Sequence, residues 1–125
     1  SDNEIMTEIA EGFFHFEDYF STIEILKNIK GTLNSKSLIL LIKSLIAIGD
    51  YKSANYLLDT YKNLLQDSQY RIFADSLSKI QSLNNKTINS NNLGQINSTI
   101  HELIQNLQFI PAVVYYIKAI LKKHL

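Results

Sequence analysis

The sequence IKSLIAIGDYKSA, at residues 42–54, decides the fold of this chain. The sequence AEGFFHFEDYFST, at residues 10–22, matches it at a constant offset that places Asp18 on Asp50, and both segments contain the pattern Asp-Tyr-x-Ser. In each segment an apolar stretch precedes the aspartate and a second one follows it. A repeat as long as the distance from Asp18 to Asp50 accommodates one helical hairpin. Neighbouring hairpins bury each other's apolar faces. The offset therefore predicts a row of stacked hairpins.

The composition favours an all-α chain. The 125 residues are 46% hydrophobic and 19% charged, which suits a folded domain with a core. One Pro and four Gly leave few breaks between helices. Lys plus Arg equals Asp plus Glu, at 12 each, so we expect no nucleic-acid partner. No apolar run approaches the ~18 residues of a membrane span. With no Cys in the chain, we expect a cytoplasmic protein, or a nuclear one if it is eukaryotic.

Apolar residues at helical spacing predict seven helices. The first runs from about Asn3 to His15, and its apolar residues Ile5, Ile9, Phe13 and Phe16 recur at that spacing. The next two run from about Asp18 to Lys30 and from Ser35 to Ile48, with Gly31 as a left-handed stop and Ser35 as an N-cap. The fourth follows Asp50 and runs to about Gln66, and the fifth starts after Asp67 or Ser68 and runs to about Leu83. A polar loop follows at 84–94, and two more helices begin near Gln95 and at Pro111.

The second repeat carries a recognisable pattern. It has apolar first-helix positions at Leu38, Leu41 and Leu45, the turn Gly49-Asp50-Tyr51, and Ala54 and Leu58 on the second helix. The matching residues of the first repeat are Met6, Ile9, Ala10, Phe13, Asp18, Tyr19, Thr22 and Leu26, and a third first-helix has Tyr70, Phe73, Ala74 and Leu77. These residues resemble the tetratricopeptide repeat.

The resemblance implies an all-α fold in one domain, 1–125. Three antiparallel hairpins, at about 3–31, 35–66 and 68–107, would stack as a short right-handed superhelix, with a loop at 84–94 and a capping helix at 110–125. The offset is shorter than the usual repeat of about 34 residues, and Ile42 occupies a position that is small in the family. A generic helical bundle is the alternative.

The resemblance also implies a binding face, because the first helices of such hairpins line a concave surface. The family's groove positions correspond to Thr7, Glu11, Phe14, Lys36, Ile39, Lys43, Ile46, Arg71, Asp75 and Lys79. We expect this face to bind a protein or peptide through apolar pockets with flanking charges. Thr7 and Glu11 do not supply the family's carboxylate clamp, so binding to chaperone tails is disfavoured. The alternative is an ordinary solvated helix surface.

No residue pattern indicates catalysis. The three His are far apart, and Gln105 stands where a zinc-binding His101-Glu102 motif would need its second His. We therefore expect a non-enzymatic scaffold or adaptor subunit with no catalytic, cofactor-binding or metal site. The alternatives are a small bacterial secretion-type chaperone of similar fold and a helical ligand-binding bundle. Self-association as a homodimer, through helix 7 or through helices 1 and 2, is a further hypothesis.

Overall fold

The computed structural model describes residues 2–31, 33–86 and 89–107, and all of the regular structure in these ranges is helical. The elements are α1 (Asp2–His15), α2 (Tyr19–Lys27), α3 (Ser35–Ala47), α4 (Tyr51–Thr60), a 3-10 turn (Lys62–Leu64), α5 (Asp67–Asn85) and α6 (Leu93–Leu107). The prediction of an all-α fold is confirmed. The predicted capping helix at 110–125 lies outside the described residues.

The chain forms two compact units, Ser1–Asp67 and Ser68–Leu125. The boundary between them falls between the second and third predicted repeats. The first unit holds the two hairpins α1–α2 and α3–α4. The stacking of a third hairpin stays a prediction.

The corner between α3 and α4 is a Schellman motif. Gly49 adopts a left-handed φ of 82°. Its N–H donates to the Ile46 carbonyl at 3.0 Å, and the Asp50 N–H donates to the Leu45 carbonyl at 2.9 Å. These two bonds satisfy carbonyls that the helix end would leave unpaired. The Asp50 carboxylate then caps α4 by accepting from the Ser53 N–H at 3.2 Å. One aspartate thus ends one helix and begins the next.

The corner between α1 and α2 has the same geometry at the matching positions of the first repeat. The Glu17 N–H donates to the Phe14 carbonyl and the Asp18 N–H to the Phe13 carbonyl, both at 2.9 Å. The Asp18 carboxylate accepts from the Ser21 N–H at 3.1 Å. The backbone angles of the two capping aspartates differ by only a few degrees. The difference lies at Glu17, which holds a left-handed φ of 62° where the second corner has a glycine.

The two hairpins bury equivalent positions. The repeat offset pairs Leu26 on α2 with Leu58 on α4, and both are buried. It also pairs Thr22 with Ala54, and both of these are buried too. The buried hydroxyl of Thr22 is satisfied because it donates to the Asp18 carbonyl at 2.8 Å. Across the hairpins, α3 packs against α1, α2 and α4. The second helices of the two hairpins are therefore equivalent at these buried positions, and the two corners are equivalent in their hydrogen bonds.

Several predicted helix ends needed correction. α2 ends at Lys27 because Asn28 is its C-cap, so the positive φ of Gly31 belongs to the connection and not to the helix end. α3 is capped by Asn34, which forms a capping box with Ser37, instead of by Ser35. α4 ends at Thr60, because i→i+3 bonds tighten the chain into the 3-10 turn.

In the second unit, α5 and α6 lie antiparallel. Lys79 on α5 pairs with Glu102 on α6 at 3.0 Å, and the Asn106 amide donates to Asp75 at the same distance. The residues buried on these helices include Phe73, Leu77, Ile80 and Leu83 on α5 and Ile96, Ile100, Leu103 and Leu107 on α6. Both helices extend into the predicted loop at 84–94, since α5 continues to Asn85 and α6 begins at Leu93.

Candidate protein-binding groove

A concave groove of about 230 Å³ lies between α1 and α3. We call it the α1–α3 groove, and it is lined by Glu11, Phe14 and His15 from α1 and by Lys36, Ile39, Leu40 and Lys43 from α3. It exists because the second hairpin packs beside the first and leaves α1 and α3 as neighbours. Its floor is apolar and its borders are charged.

The groove brings together half of the residues predicted for the binding face. Glu11, Phe14, Lys36, Ile39 and Lys43 all line it. Sequence reasoning missed two lining residues, His15 and Leu40. His15 directly follows Phe14, and Leu40 directly follows Ile39, in the sequence. An assignment of whole helix faces instead of single family positions would have included them.

Thr7 and Ile46 do not belong to the groove. Both are buried, so neither can contact a partner on this surface. The Thr7 hydroxyl donates to the Asn3 carbonyl at 2.8 Å within its own helix, which is how a buried threonine is commonly satisfied. Ile46 lies on a helix that packs against three others and has little free surface. These two predicted contacts are therefore withdrawn.

Arg71, Asp75 and Lys79 lie on α5 in the second unit. Arg71 is exposed. Lys79 bonds to Asp75 and to Glu102, and its hydrogen bond to Asp75 is the main cause that raises its pKa above the ordinary value. Asp75 and Lys79 are thus engaged in pairs within their own unit, and their part in partner binding stays a prediction.

The two lysines of the groove have opposite environments. Lys36 pairs with Glu11 at 2.8 Å, and this hydrogen bond raises the pKa of Lys36. Lys43 is half-buried, and burial lowers its pKa, because the charged ammonium loses part of its hydration. A carboxylate from outside the chain that approached Lys43 would favour its charged form. The groove thus places a half-buried ammonium group beside an apolar floor.

The Phe14 ring is held in place at the α1 side of the groove. It meets the Tyr19 ring edge-on, with centroids 5.4 Å apart, and it meets the His15 ring in a similar arrangement at 6.3 Å. Edge-to-face contacts of this kind add to the stabilisation from burial. The position of the Phe14 ring is therefore supported by contacts within the chain itself.

A larger cleft of about 710 Å³ lies on α2, α3 and α4. Its apolar lining comes from Leu26, Ile29, Leu33, Leu41, Leu45 and Leu57, and its polar groups from Lys27, Lys52, Ser53, Tyr56 and Tyr61. We call it the lysine–tyrosine cleft. Its volume falls within the range of about 300–1,000 Å³ that is typical of small-molecule sites.

The described ranges also bear on metal binding and on membrane insertion. Residues 2–31, 33–86 and 89–107 contain no group of three or more His, Asp or Glu that could hold a metal ion. None of the helices in these ranges has the length and apolar character needed to cross a membrane.

Comparisons with known proteins identify no relative. No family model, curated protein or solved structure matches the chain.

Proposed function

We propose that this chain is a non-enzymatic protein-interaction domain of the tetratricopeptide-like kind, a scaffold or adaptor that binds a peptide or helix in the α1–α3 groove. The observation that carries the proposal is the lining of this groove, where apolar side chains from two adjacent hairpins lie between charged ones. Peptide-binding surfaces combine these two elements, because apolar pockets supply affinity and flanking charges supply orientation.

The size of the groove favours a side chain of a peptide over a free small molecule. Its volume of about 230 Å³ lies below the usual range for drug-sized ligands, which begins at about 300 Å³. A peptide can place one apolar side chain against Phe14 and Ile39 and continue along the surface. An acidic residue next to that anchor would reach Lys43. The proposed ligand is therefore a segment with an apolar anchor and an adjacent Asp or Glu.

A matched pair of charge reversals tests the site. Peptides are selected on the full chain from a displayed random library, and the affinity of the best of them is measured for Lys43→Glu and Lys52→Glu. Both variants make the same change of charge, but Lys52 lies on α4 in the other cleft. We expect Lys43→Glu to weaken binding by about tenfold or more, and Lys52→Glu to leave it unchanged. Selected peptides should combine an apolar residue with an acidic neighbour.

The opposite pattern would contradict the proposal. If Lys52→Glu abolishes binding and Lys43→Glu does not, the ligand occupies the lysine–tyrosine cleft. If neither variant changes the affinity, neither surface is the site. Chemical-shift mapping with a selected peptide provides a second reading, since the signals of Phe14 and Ile39 must move if the groove is occupied.

The lysine–tyrosine cleft supports a second candidate function, the binding of a small amphipathic ligand. Its apolar lining and the ammonium groups of Lys27 and Lys52 suit a molecule with an apolar body and an anionic head. A titration with a medium-chain fatty acid tests this candidate. Saturable binding that Lys52→Glu weakens would favour it, and unsaturable binding would remove it.

A further inference from the structure

A stripe of apolar residues on α1 faces solvent. Ile5, Ile9 and Phe13 are exposed by 56%, 49% and 39%, and Phe16, just beyond the helix end, by 87%. At about 100° per residue, the three helical members and Gly12 fall within an arc of roughly 100°. We call Ile5, Ile9, Gly12, Phe13 and Phe16 the outer stripe. The sequence predicts this apolar periodicity correctly, but an apolar face is expected to be covered.

The same positions of the next repeat are covered. The repeat offset places Ile9 and Phe13 on Leu41 and Leu45, which are exposed by only 4% and 1%. It places Gly12 on Ser44, which is completely buried. The two helices thus carry apolar residues at two matching positions. These residues are buried on α3 and exposed on α1.

The first hairpin covers this face of α3. Leu41 and Leu45 line a common cleft with Leu26 of α2. Leu40, beside them on α3, lines the α1–α3 groove with Phe14 and His15 of α1. α3 is therefore seated on a helical hairpin that precedes it in the chain. Among the described residues, no hairpin covers the corresponding face of α1.

The charge of the segment that carries the outer stripe restricts what could cover the stripe. Residues 2–26 contain no Lys or Arg. Their carboxylates are those of Asp2, Glu4, Glu8, Glu11, Glu17, Asp18 and Glu24. Of these, Glu11 lines the α1–α3 groove and pairs with Lys36. Pairing the stripe with the same stripe of a second copy would bring two such acidic segments together, and like charges at an interface are costly. A helix with basic residues beside its apolar face would be attracted instead.

We propose that the outer stripe docks an amphipathic α-helix of a partner protein, bordered by Lys and Arg, in the way that α2 packs on α3. This surface is separate from the α1–α3 groove and does not depend on the function proposed for the groove. A helix laid in a hydrophobic surface makes contacts at i, i+3, i+4 and i+7 spacing, which matches the spacing of the stripe. The partner helix therefore needs an apolar face of similar length.

Gly12 is the one residue of the outer stripe without a side chain. A Cβ built on Gly12 meets no atom within 4 Å, so the backbone is open to an approaching side chain. Its counterpart Ser44 is also small, and it is buried where the first hairpin covers α3. Small residues at helix contacts allow the two helices to come close. Gly12 thus leaves the helix backbone accessible to a side chain of the proposed partner helix.

Two synthetic peptides test the proposal on the full chain. Both are amphipathic helices of roughly 18 residues with the same Leu and Ala face, one flanked by Lys and the other by Glu. We expect the Lys-flanked peptide to bind at least about tenfold more tightly, with an advantage that shrinks as salt is raised. Equal binding of the two peptides, or no binding of either, would overturn the proposal.

Three variants locate the binding site. Ile9→Ser combined with Phe13→Ser should weaken the Lys-flanked peptide by about tenfold or more, because it removes two apolar anchors. Ile72→Ser is the matched control, since Ile72 on α5 is about as exposed as Phe13. Lys43→Glu should not weaken this peptide, which separates the stripe from the groove. If Ile72→Ser is as damaging as the stripe variant, or the stripe variant has no effect, the stripe is not the site.

A fourth variant distinguishes specific helix docking from non-specific hydrophobic binding. Gly12→Leu adds a good helix former and apolar surface, so the chain should fold with an unchanged or higher Tm. It also prevents a partner helix from approaching the backbone at Gly12, so we expect weaker peptide binding. Stronger binding would contradict docking in the manner of α2. Sedimentation velocity of the wild-type chain completes the test. A dimer that the stripe variant abolishes would assign the surface to a second copy and would overturn the partner proposed here.

Discussion

α1 and α3 are two copies of one helix in different surroundings. Their corners share the same Schellman bonds and the same capping aspartate, yet one face of α3 is buried while its counterpart on α1 is exposed. Local sequence therefore fixes how each hairpin turns. The neighbour on each side decides whether an apolar face contributes to stability or remains available for binding.

The largest expected difference concerns this face. Leu41→Ala should lower the free energy of unfolding by about 2–5 kcal/mol, because it removes a buried leucine from a packed site. Ile9→Ala, at the equivalent position, should cost less than about 1 kcal/mol, because its side chain is largely in water. Urea unfolding of the two variants measures both values. Equal losses would show that the face of α1 is covered in solution.

The capping aspartates should behave alike. Asp18→Ala and Asp50→Ala each remove one N-cap acceptor, and each should cost about 1 kcal/mol. Thermal unfolding of both variants checks this expectation, with Asp59→Ala as the control, since Asp59 is exposed inside α4. A large cost at one corner and none at the other would contradict the equivalence of the hairpins.

These corners are also where the sequence was most informative. The Asp-Tyr-x-Ser pattern, and a glycine before the second aspartate, specify both turns through short-range hydrogen bonds. The sequence could not reveal that Thr7 and Ile46 are buried, because burial depends on how many helices pack around each position. For the same reason, periodicity located the apolar face of α1 but did not show that it is exposed. Half of the residues predicted for the binding face line the α1–α3 groove. The repeat pattern could predict them because it also determines that α1 and α3 are neighbours.

The left-handed residue before each aspartate should reveal a smaller difference. Glu17 holds a positive φ that costs a non-glycine residue roughly 1–2 kcal/mol, part of which glycine would recover. We therefore expect Glu17→Gly to stabilise the chain by about 0.5–1 kcal/mol. The control Glu24→Gly, on an exposed helical position of α2, should destabilise by about 1 kcal/mol. Loss of stability in Glu17→Gly would mean that the first corner is not formed as described.

The smallest effect is a difference between two lysines at alkaline pH. Burial lowers the pKa of Lys43 in the folded chain. Between this folded pKa and the higher unfolded pKa, the folded chain binds fewer protons than the unfolded chain. The contribution of Lys43 to stability therefore rises as pH increases through that window. The Lys36 pKa is raised, mainly by its hydrogen bond with Glu11, so its contribution is lost as pH rises through the folded pKa. An NMR titration of the lysine side chains should find Lys43 below the ordinary value of 10.5 and Lys36 above it. The reverse order would contradict the groove geometry.

The central claim is that the second hairpin is seated on the first, with α3 against both α1 and α2. A methyl-labelled NOESY spectrum tests this arrangement most directly. We expect cross-peaks from the Leu40 methyls to the Phe14 ring, and from the Leu41 and Leu45 methyls to those of Leu26. If the α3 methyls show contacts with α4 but none with α1 or α2, the hairpins do not pack as neighbours, and neither the groove nor the explanation of the outer stripe can stand.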